Sequence, residues 1–483
     1  MMDPMTFRID AIHFHVLPMQ TRLPFRYGIA ILTTLPHLVV SVDLILHGKL
    51  TRGQSADGLP PKWFTKNPDT PMELDLAEMI AAIQNASRIG RVAAEHDVSF
   101  AHWWRSLYDE QASWSAVREV PPLLANFGVS LIERAVLDGL ARSADLPLWK
   151  LLSTGQINID LDAVRPNLPT APINQVVAAP PSNQLRIRHT VGLSDPLTEA
   201  EIPPEERLTD GLPQSLESAI RHYGLSSFKV KLSGDFDRDR ERLASIATIT
   251  QSLVSSAPSF TVDGNEHFTD AANFRDYWSR LEAEPSCRTV LDHARFIEQP
   301  LHRDHALRDH VRTVFEEWSD HPPIIIDESD GALADLPRAL DLGYSGTSHK
   351  NCKGIVKGLA NAALLRPRPN TILSGEDLAN VGPLALLQDC AAMALLGIND
   401  VERNGHHYFK GLSMHSEPLQ SEVLAHHSDA YRLHEKGFPS LCIQDGKIGI
   451  ASANQAPFGC APLIDPTTLE PVNDWIKRGG MSA

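Results

Sequence analysis

No stretch of the 483 residues approaches the roughly 18 consecutive apolar positions that a membrane-spanning helix needs. A soluble globular chain is therefore expected. Cysteine is scarce: the five, at 287, 352, 390, 442 and 460, contain no CxxC pair, which argues against a disulfide framework or a zinc finger and fits a reducing compartment. The first residues, MMDPMTFRID, have neither a basic start nor an apolar core, so no secretion signal is expected and the cytoplasm is the expected location. Positive charge is in deficit, with 44 Lys and Arg against 60 Asp and Glu and a formal net charge of −16. That balance disfavours nucleic acid and anionic membranes as partners, yet allows a local cationic pocket for a small anion. No Gly-rich dinucleotide or P-loop fingerprint is present either.

What is there is ordinary globular composition, 42% hydrophobic and 22% charged, in a chain too long for one ordinary core. Residues 6 to 50 alternate like strands (FRIDAIHFHV, HLVVSVDLILHG). From about 72 to 153 the period turns helical and ends in VSLIERAVLDGLARSADLPLWKLL, where Leu131, Ala135, Val136, Leu140 and Ala141 form an apolar stripe. Residues 1–155 thus read as an α+β unit, and the Pro- and Asn-rich stretch 156–184 as a connection or insertion. From 185 to about 415, short apolar strands alternate with helical patterns: LRIRHTVG, FKVKL, SFTVDGN, RFIEQP, PIIIDES, TSHKNCK, TILSGED and DVERNG. After a longer first gap they recur at intervals of roughly 30 residues, the spacing of a (β/α)8 barrel. An open doubly wound sheet is the alternative, without the glycine fingerprint that would support it.

One strand raises a question. In SSFKVKLSGD, Lys229 and Lys231 share a face, opposite Phe228, Val230 and Leu232. A solvated edge strand would explain two lysines by themselves. The following strands change the weighting, because they too end in polar groups: Asp263 and Asn265, Glu298, Asp327 and Glu328, Lys350, then Glu376 and Asp377. In a barrel those ends meet at one mouth. A helix cap would explain Asp263 alone. Three successive carboxylate-ended strands (FTVD, RFIE, IIID) instead suit a hard cation such as Mg²⁺, whose remaining positions take water or substrate oxygens.

With these motifs in order, the chain resembles the enolase superfamily, and within it the muconate lactonizing enzyme-like subgroup of the mandelate racemase/muconate lactonizing enzyme family. The resemblance implies a (β/α)7β barrel over 185–415 and an N-terminal α+β capping domain, with 416–483 returning to it. LPFRYGIA (23–30), with Phe25 and Tyr27, looks like the substrate-capping loop, and GFPSLCIQDGKIGI (437–450) like the return to the cap. It also implies one Mg²⁺, or Mn²⁺, on Asp263, Glu298 and Asp327, catalytic lysines at 231 and 350 tuned by Lys229, a small carboxylate substrate and an assembly of identical chains. Glu328 is expected to turn away and hold a lysine, with Asn265 behind the metal, and Glu376 and Asp377 either orienting substrate or standing behind the residues that touch it.

The chemistry needs such a set. A proton α to a carboxylate is weakly acidic because its loss gives an enediolate, so a bound cation must stabilise the charge and a lysine must act as base. A like charge at Lys229 would lower the pKa of Lys231. Departures from the pattern remain. HKNCKG makes Lys353 a rival to Lys350; Trp63 and Phe64 are lid or packing residues; Trp103 and Trp104 read as packing. His406 and His407 read as surface histidines or as a border of the site. Racemisation or epimerisation of an amino-acid- or dipeptide-like acid is the expected activity. Cycloisomerisation, elimination or sugar-acid dehydration, and a catalytically silent metal- or carboxylate-binding relative, are the alternatives.

Overall fold

The computed structural model describes residues 5–27, 29–166 and 171–480, the side chain of Tyr27 excepted. The alternating amino-terminal segment forms a long antiparallel hairpin, β1 (Thr6–Tyr27) and β2 (Ala30–Leu46), continued by β3 (Lys49–Gly58). Its ladder is regular except for shifts at Ile9/Ala11 and Gln20/Phe25. At the second shift, residues 21 to 24 loop out opposite Thr33, a bulge that accommodates Pro24, which has no N–H to give a ladder.

Helices α1 (Met72–Ala93), α2 (Phe100–Arg118) and α3 (Pro122–Ala144) cover this sheet, and the two-residue β4 (Val98–Ser99) pairs with its start. The expected stripe on α3 is too narrow a description. Every residue from Leu123 to Ala141 is buried, because α3 lies on the cap sheet with one side and against the barrel with the other. Its buried charged residues accordingly find partners: Arg134 pairs with Asp57 and Asp138 with Arg142, while Glu133 accepts from N–H donors. The approach to the sheet depends on Gly53, where a β-carbon would stand 2.1 Å from the Ala135 carbonyl oxygen.

Eight parallel strands then close into a barrel: β5 (Gln184–Val191), β6 (Ser227–Lys231), β7 (Ser259–Asp263), β8 (Ala294–Glu298), β9 (Ile324–Ile326), β10 (Gly346–His349), β11 (Ile372–Gly375) and β12 (Asp400–Arg403). Closure is the pairing of β12 with β5, from Asp400↔Arg186 to Arg403↔His189. The sequence therefore reads the barrel and the α+β cap as the structure has them.

One local expectation is corrected. The stretch 437–450 does not return to the cap. Its strands Ile443–Gln444 and Lys447–Gly449 form a hairpin on β5, since Asp445 and Gly446, both at positive φ, make the tight turn that sets Ile443 against Ile448. The return comes later, where Glu470–Pro471 pairs with Val16 and His15. Residues 156–184, unassigned from sequence and outside the described residues at 167–170, pack on the barrel through Leu161, Ile173 and Val176, with Arg165 bonded to the Leu333 carbonyl. No helix among the described residues is long and apolar enough to cross a membrane.

Candidate active site

The register of the barrel strands brings the polar ends together. Lys231 is directly beside Asp263, and Asp263 beside Glu298, while Asp327 follows β9 at the same rim. Lys350 follows β10, four strands from β6 and so across the mouth from Lys231. Both lysines border a cleft between barrel and cap, together with Asn265, Asp327, Glu328 and Glu402. The cap contributes Phe25, Arg26, Trp63 and Lys66.

Each expected metal ligand has a lysine against it. Lys231 is bonded to Asp263, and Lys350 Nζ stands 2.8 Å from Asp327 Oδ2. Lys353 Nζ reaches Asp327 Oδ1 at 2.9 Å, the Asp327 carbonyl at 2.7 Å and Ser348 Oγ at 2.9 Å. Lys353 is thus buried behind the rim, whereas Lys350 opens on the cleft, its Nζ 4.9 Å over the Trp63 ring. Burial opposes the charge on Lys350, but Asp327 outweighs it and holds the ammonium well above the usual lysine range. The Asp327 carboxyl moves the other way, well below its usual range: burial would raise it, and Lys350 and Lys353 prevail.

Lys229 departs from expectation. It points inward as the alternation requires, yet faces four protein carboxylates: Glu298 and Glu376 at 2.7 Å, Asp263 and Glu402 at 3.1 Å. With its side chain 1% exposed it neutralises the barrel interior and does not border the cleft. Glu376 also lies below the cleft, bound to Lys229 and Arg188. Asp377 reaches the cleft and accepts from the Asn380 and Asn404 N–H groups, its carboxyl pushed up to about 6 chiefly by burial. Asn265 borders the cleft as well and gives its backbone N–H to Asp263 Oδ1 at 2.8 Å.

Glu328 does not turn away to hold a lysine. It borders the cleft among Asp327, Glu266 and Arg303, because Asp327 takes both lysines, and its carboxyl is raised to about 7 by burial and then by the Asp327 charge. His406 and His407 are not on the surface. Both are buried, with His406 Nε2 3.1 Å from His189 Nδ1, and burial drives the His407 pKa down to about 3. Trp63 borders the cleft while Phe64 packs on Phe127, so the two adjacent rings divide the lid and packing roles. Trp103 and Trp104 are core, with Trp104 Nε1 donating to Glu133. The expected contact through Tyr27 lies outside the described residues. Glu402 was missed by sequence reasoning, although a carboxylate after Val401 at a strand end is the same signal that marks Asp263 and Glu298.

These residues fit a hard divalent cation in donor chemistry. Glu298 is fully buried, its Oε2 at Lys229 and its Oε1 without a hydrogen-bond partner. Burial, then repulsion from Glu376, Asp263 and Asp327, pushes its carboxyl well above the usual range, the mark of a cluster short of positive charge. Among the described residues no three such side chains stand in ligand geometry, for the ammonium groups of Lys229, Lys231 and Lys350 lie against them.

No family model matches the chain, and no curated relative matches it. Solved structures do. A mandelate racemase/muconate lactonizing protein from Herpetosiphon aurantiacus is 18% identical over 92% of this chain and 96% of its own, with a TM-score of 0.56. An enolase from Bradyrhizobium, complexed with magnesium and mandelic acid, is 14% identical over 99% of both chains, with a TM-score of 0.56. A dipeptide epimerase from Enterococcus faecalis V583 is 14% identical over 83% of this chain and 91% of its own, with a TM-score of 0.55. The barrel, the cap and their order along the chain are shared, so this protein has the fold of the mandelate racemase and muconate lactonizing proteins.

Proposed function

We propose that the protein is an enzyme that removes the proton α to a substrate carboxylate, through an enediolate, and racemises or epimerises an amino-acid- or dipeptide-like acid. The observation that carries this reading is the pair of lysines, Lys231 and Lys350, opening on one cleft from opposite sides of a closed barrel. An α-carbon between them can lose a proton to one Nζ and regain one from the other, which inverts it. Asp263, Glu298 and Asp327 would hold Mg²⁺, or Mn²⁺, which when bound supplies positive charge where the carboxylate gains negative charge. The structural likeness to a magnesium-complexed enolase supports this choice of ion.

The chain's own groups set the starting protonation. Asp327 keeps Lys350 an ammonium, so Lys350 begins as a proton donor. Lys229, locked among carboxylates, stays a fixed cation below the reacting carbon. The same groups would serve a cycloisomerase or lyase, with Lys350 stabilising charge and returning no proton.

The test is solvent deuterium exchange with a library of carboxylic acids and Mg²⁺. Deuterium at Cα of recovered substrate, in both configurations, is the expected result. Exchange with a changed skeleton indicates the cycloisomerase or lyase reading, and no exchange with any acid refutes the enzyme reading. For the ion, Mg²⁺ titration by calorimetry should show binding that is lost in Asp263→Asn combined with Glu298→Gln; unchanged affinity would overturn the ligand assignment.

A further inference from the structure

The bulge in β1 has a use that the site does not explain. Residues 21 to 24 leave the ladder and turn Arg22 toward the barrel, where its side chain is 4% exposed. All five guanidinium N–H donors are engaged. Nε and Nη2 hold the Asp210 carboxylate at 2.7 and 3.0 Å, Nη2 also reaches the Leu212 carbonyl at 3.0 Å, and Nη1 reaches the carbonyls of Pro213 and His407 at 2.9 and 2.7 Å. A bidentate pair with three further acceptors is the strongest arrangement open to an arginine side chain.

Four of these five bonds go to the loop between β5 and the helix Leu216–Tyr223, the extra length in the first strand interval, and the fifth to His407 after β12. The loop is built to receive Arg22: the Leu212 N–H closes on Asp210 Oδ1 at 3.0 Å, and Gln214 bonds the Leu208 N–H and the Glu206 carbonyl. The same loop holds the cleft wall at a second point. Asp195 accepts from Tyr408 Oη at 2.7 Å, and the Tyr408 ring lies 4.2 Å from Phe25, three residues beyond Arg22. Past the bulge the ladder resumes, Phe25↔Leu32 and Arg26↔Ile31, so the hairpin tip carrying Phe25 and Arg26 into the cleft is a lever pinned at Arg22.

We propose that Arg22 is a positioning residue: with the β5 loop it clasps the cap hairpin to the barrel and sets Phe25 and Arg26 on the cleft. The inference rests on the cleft being the active site.

Hydrogen–deuterium exchange on the full-length protein tests the clasp without a ligand. Peptides covering residues 19 to 34 should exchange roughly ten- to a hundredfold faster in Arg22→Ala, the effect of losing charge-assisted hydrogen bonds, while peptides covering 36 to 46 stay as in the wild type. Asp210→Asn keeps the loop's shape and removes one charge, and should give the smaller part of the same local change; Arg22→Lys should fall between. With the acid identified by the library above, these variants should raise KM about tenfold and leave kcat within about twofold, because the chemistry is untouched and the binding wall is not. Unchanged tip exchange in both Arg22→Ala and Asp210→Asn overturns the clasp. Faster exchange across the whole cap, or a loosened tip with unaltered KM, overturns positioning and leaves Arg22 a structural residue. If the wild type acts on no acid, the enzyme reading fails while tip exchange still decides the clasp.

Discussion

Lys350 and Lys353 share one carboxylate, Asp327, and differ in what else they see. Lys350 has the cleft and the Trp63 ring; Lys353 has the Asp327 and Ser348 carbonyls and the Ser348 hydroxyl. Lys231→Ala and Lys350→Ala should each stop net inversion yet keep deuterium exchange with a single stereoisomer, opposite in the two variants, as read by NMR with each enantiomer. Lys353→Met should instead act on stability. It leaves Asp327 with Lys350 as its one ammonium and deprives the buried Asp327 and Ser348 carbonyls of a donor, a loss on the order of 2 kcal/mol in urea unfolding. If Lys353→Met abolished exchange in a folded protein and Lys350→Ala left it intact, the acid/base role would belong three residues further on.

At the scale of elements, α3 joins cap to barrel. Glu133 Oε1 accepts from the Ile355 and Val356 N–H groups, the first turn of helix Ile355–Leu365, and Oε2 from Trp104 Nε1 at 2.7 Å. Burial nevertheless dominates and raises its carboxyl from 4.5 to about 7, the bonds to Val356 and Trp104 opposing it. The sign follows from proton counts. Between pH 4.5 and about 7 the folded chain keeps a proton that the unfolded chain has released, so this group's contribution to stability falls as pH rises through that window and is constant above it. The stability difference between wild type and Glu133→Gln, from chemical unfolding at several pH values, should therefore shrink across that window by about 3 kcal/mol at most. A difference independent of pH would show that Glu133 stays ionised in the fold.

On the scale of the whole molecule, the cap depends on the rest of the chain. Besides Glu133, Asn126 donates to the Gly331 carbonyl and Ser130 to the Asn351 carbonyl, both at 2.7 Å. Gln54 joins three regions: its carbonyl accepts from Gln388, and its side chain bonds the N–H and carbonyl of Ile464. A fragment of residues 1–155 would expose the barrel side of α3 and leave those polar groups unpaired. It should show no cooperative unfolding by itself, and the full chain should unfold in urea as one transition by both tryptophan fluorescence and circular dichroism. Two separated transitions would mean that cap and barrel fold independently.

The sequence determined the order of the barrel strands and the polar residues ending six of them, because a period of two and a repeat near thirty residues are local properties of a chain. It therefore carried the rim: Lys231, Asp263, Glu298, Asp327 and Lys350 all stand where strand alternation puts them. Which groups meet across the barrel was decided only on closure. Lys229 could be recognised as inward, but its partners Glu376 and Glu402 lie 147 and 173 residues away, and four carboxylates around one ammonium turn an expected tuner into a fixed counter-charge. The histidines after β12 are polar by type and buried by position, under a hairpin whose Arg22 bonds the His407 carbonyl 385 residues on. Residue type and spacing announce which groups a strand offers; burial and choice of partner depend on distances between segments far apart in the chain, and only the closed barrel with its cap sets those.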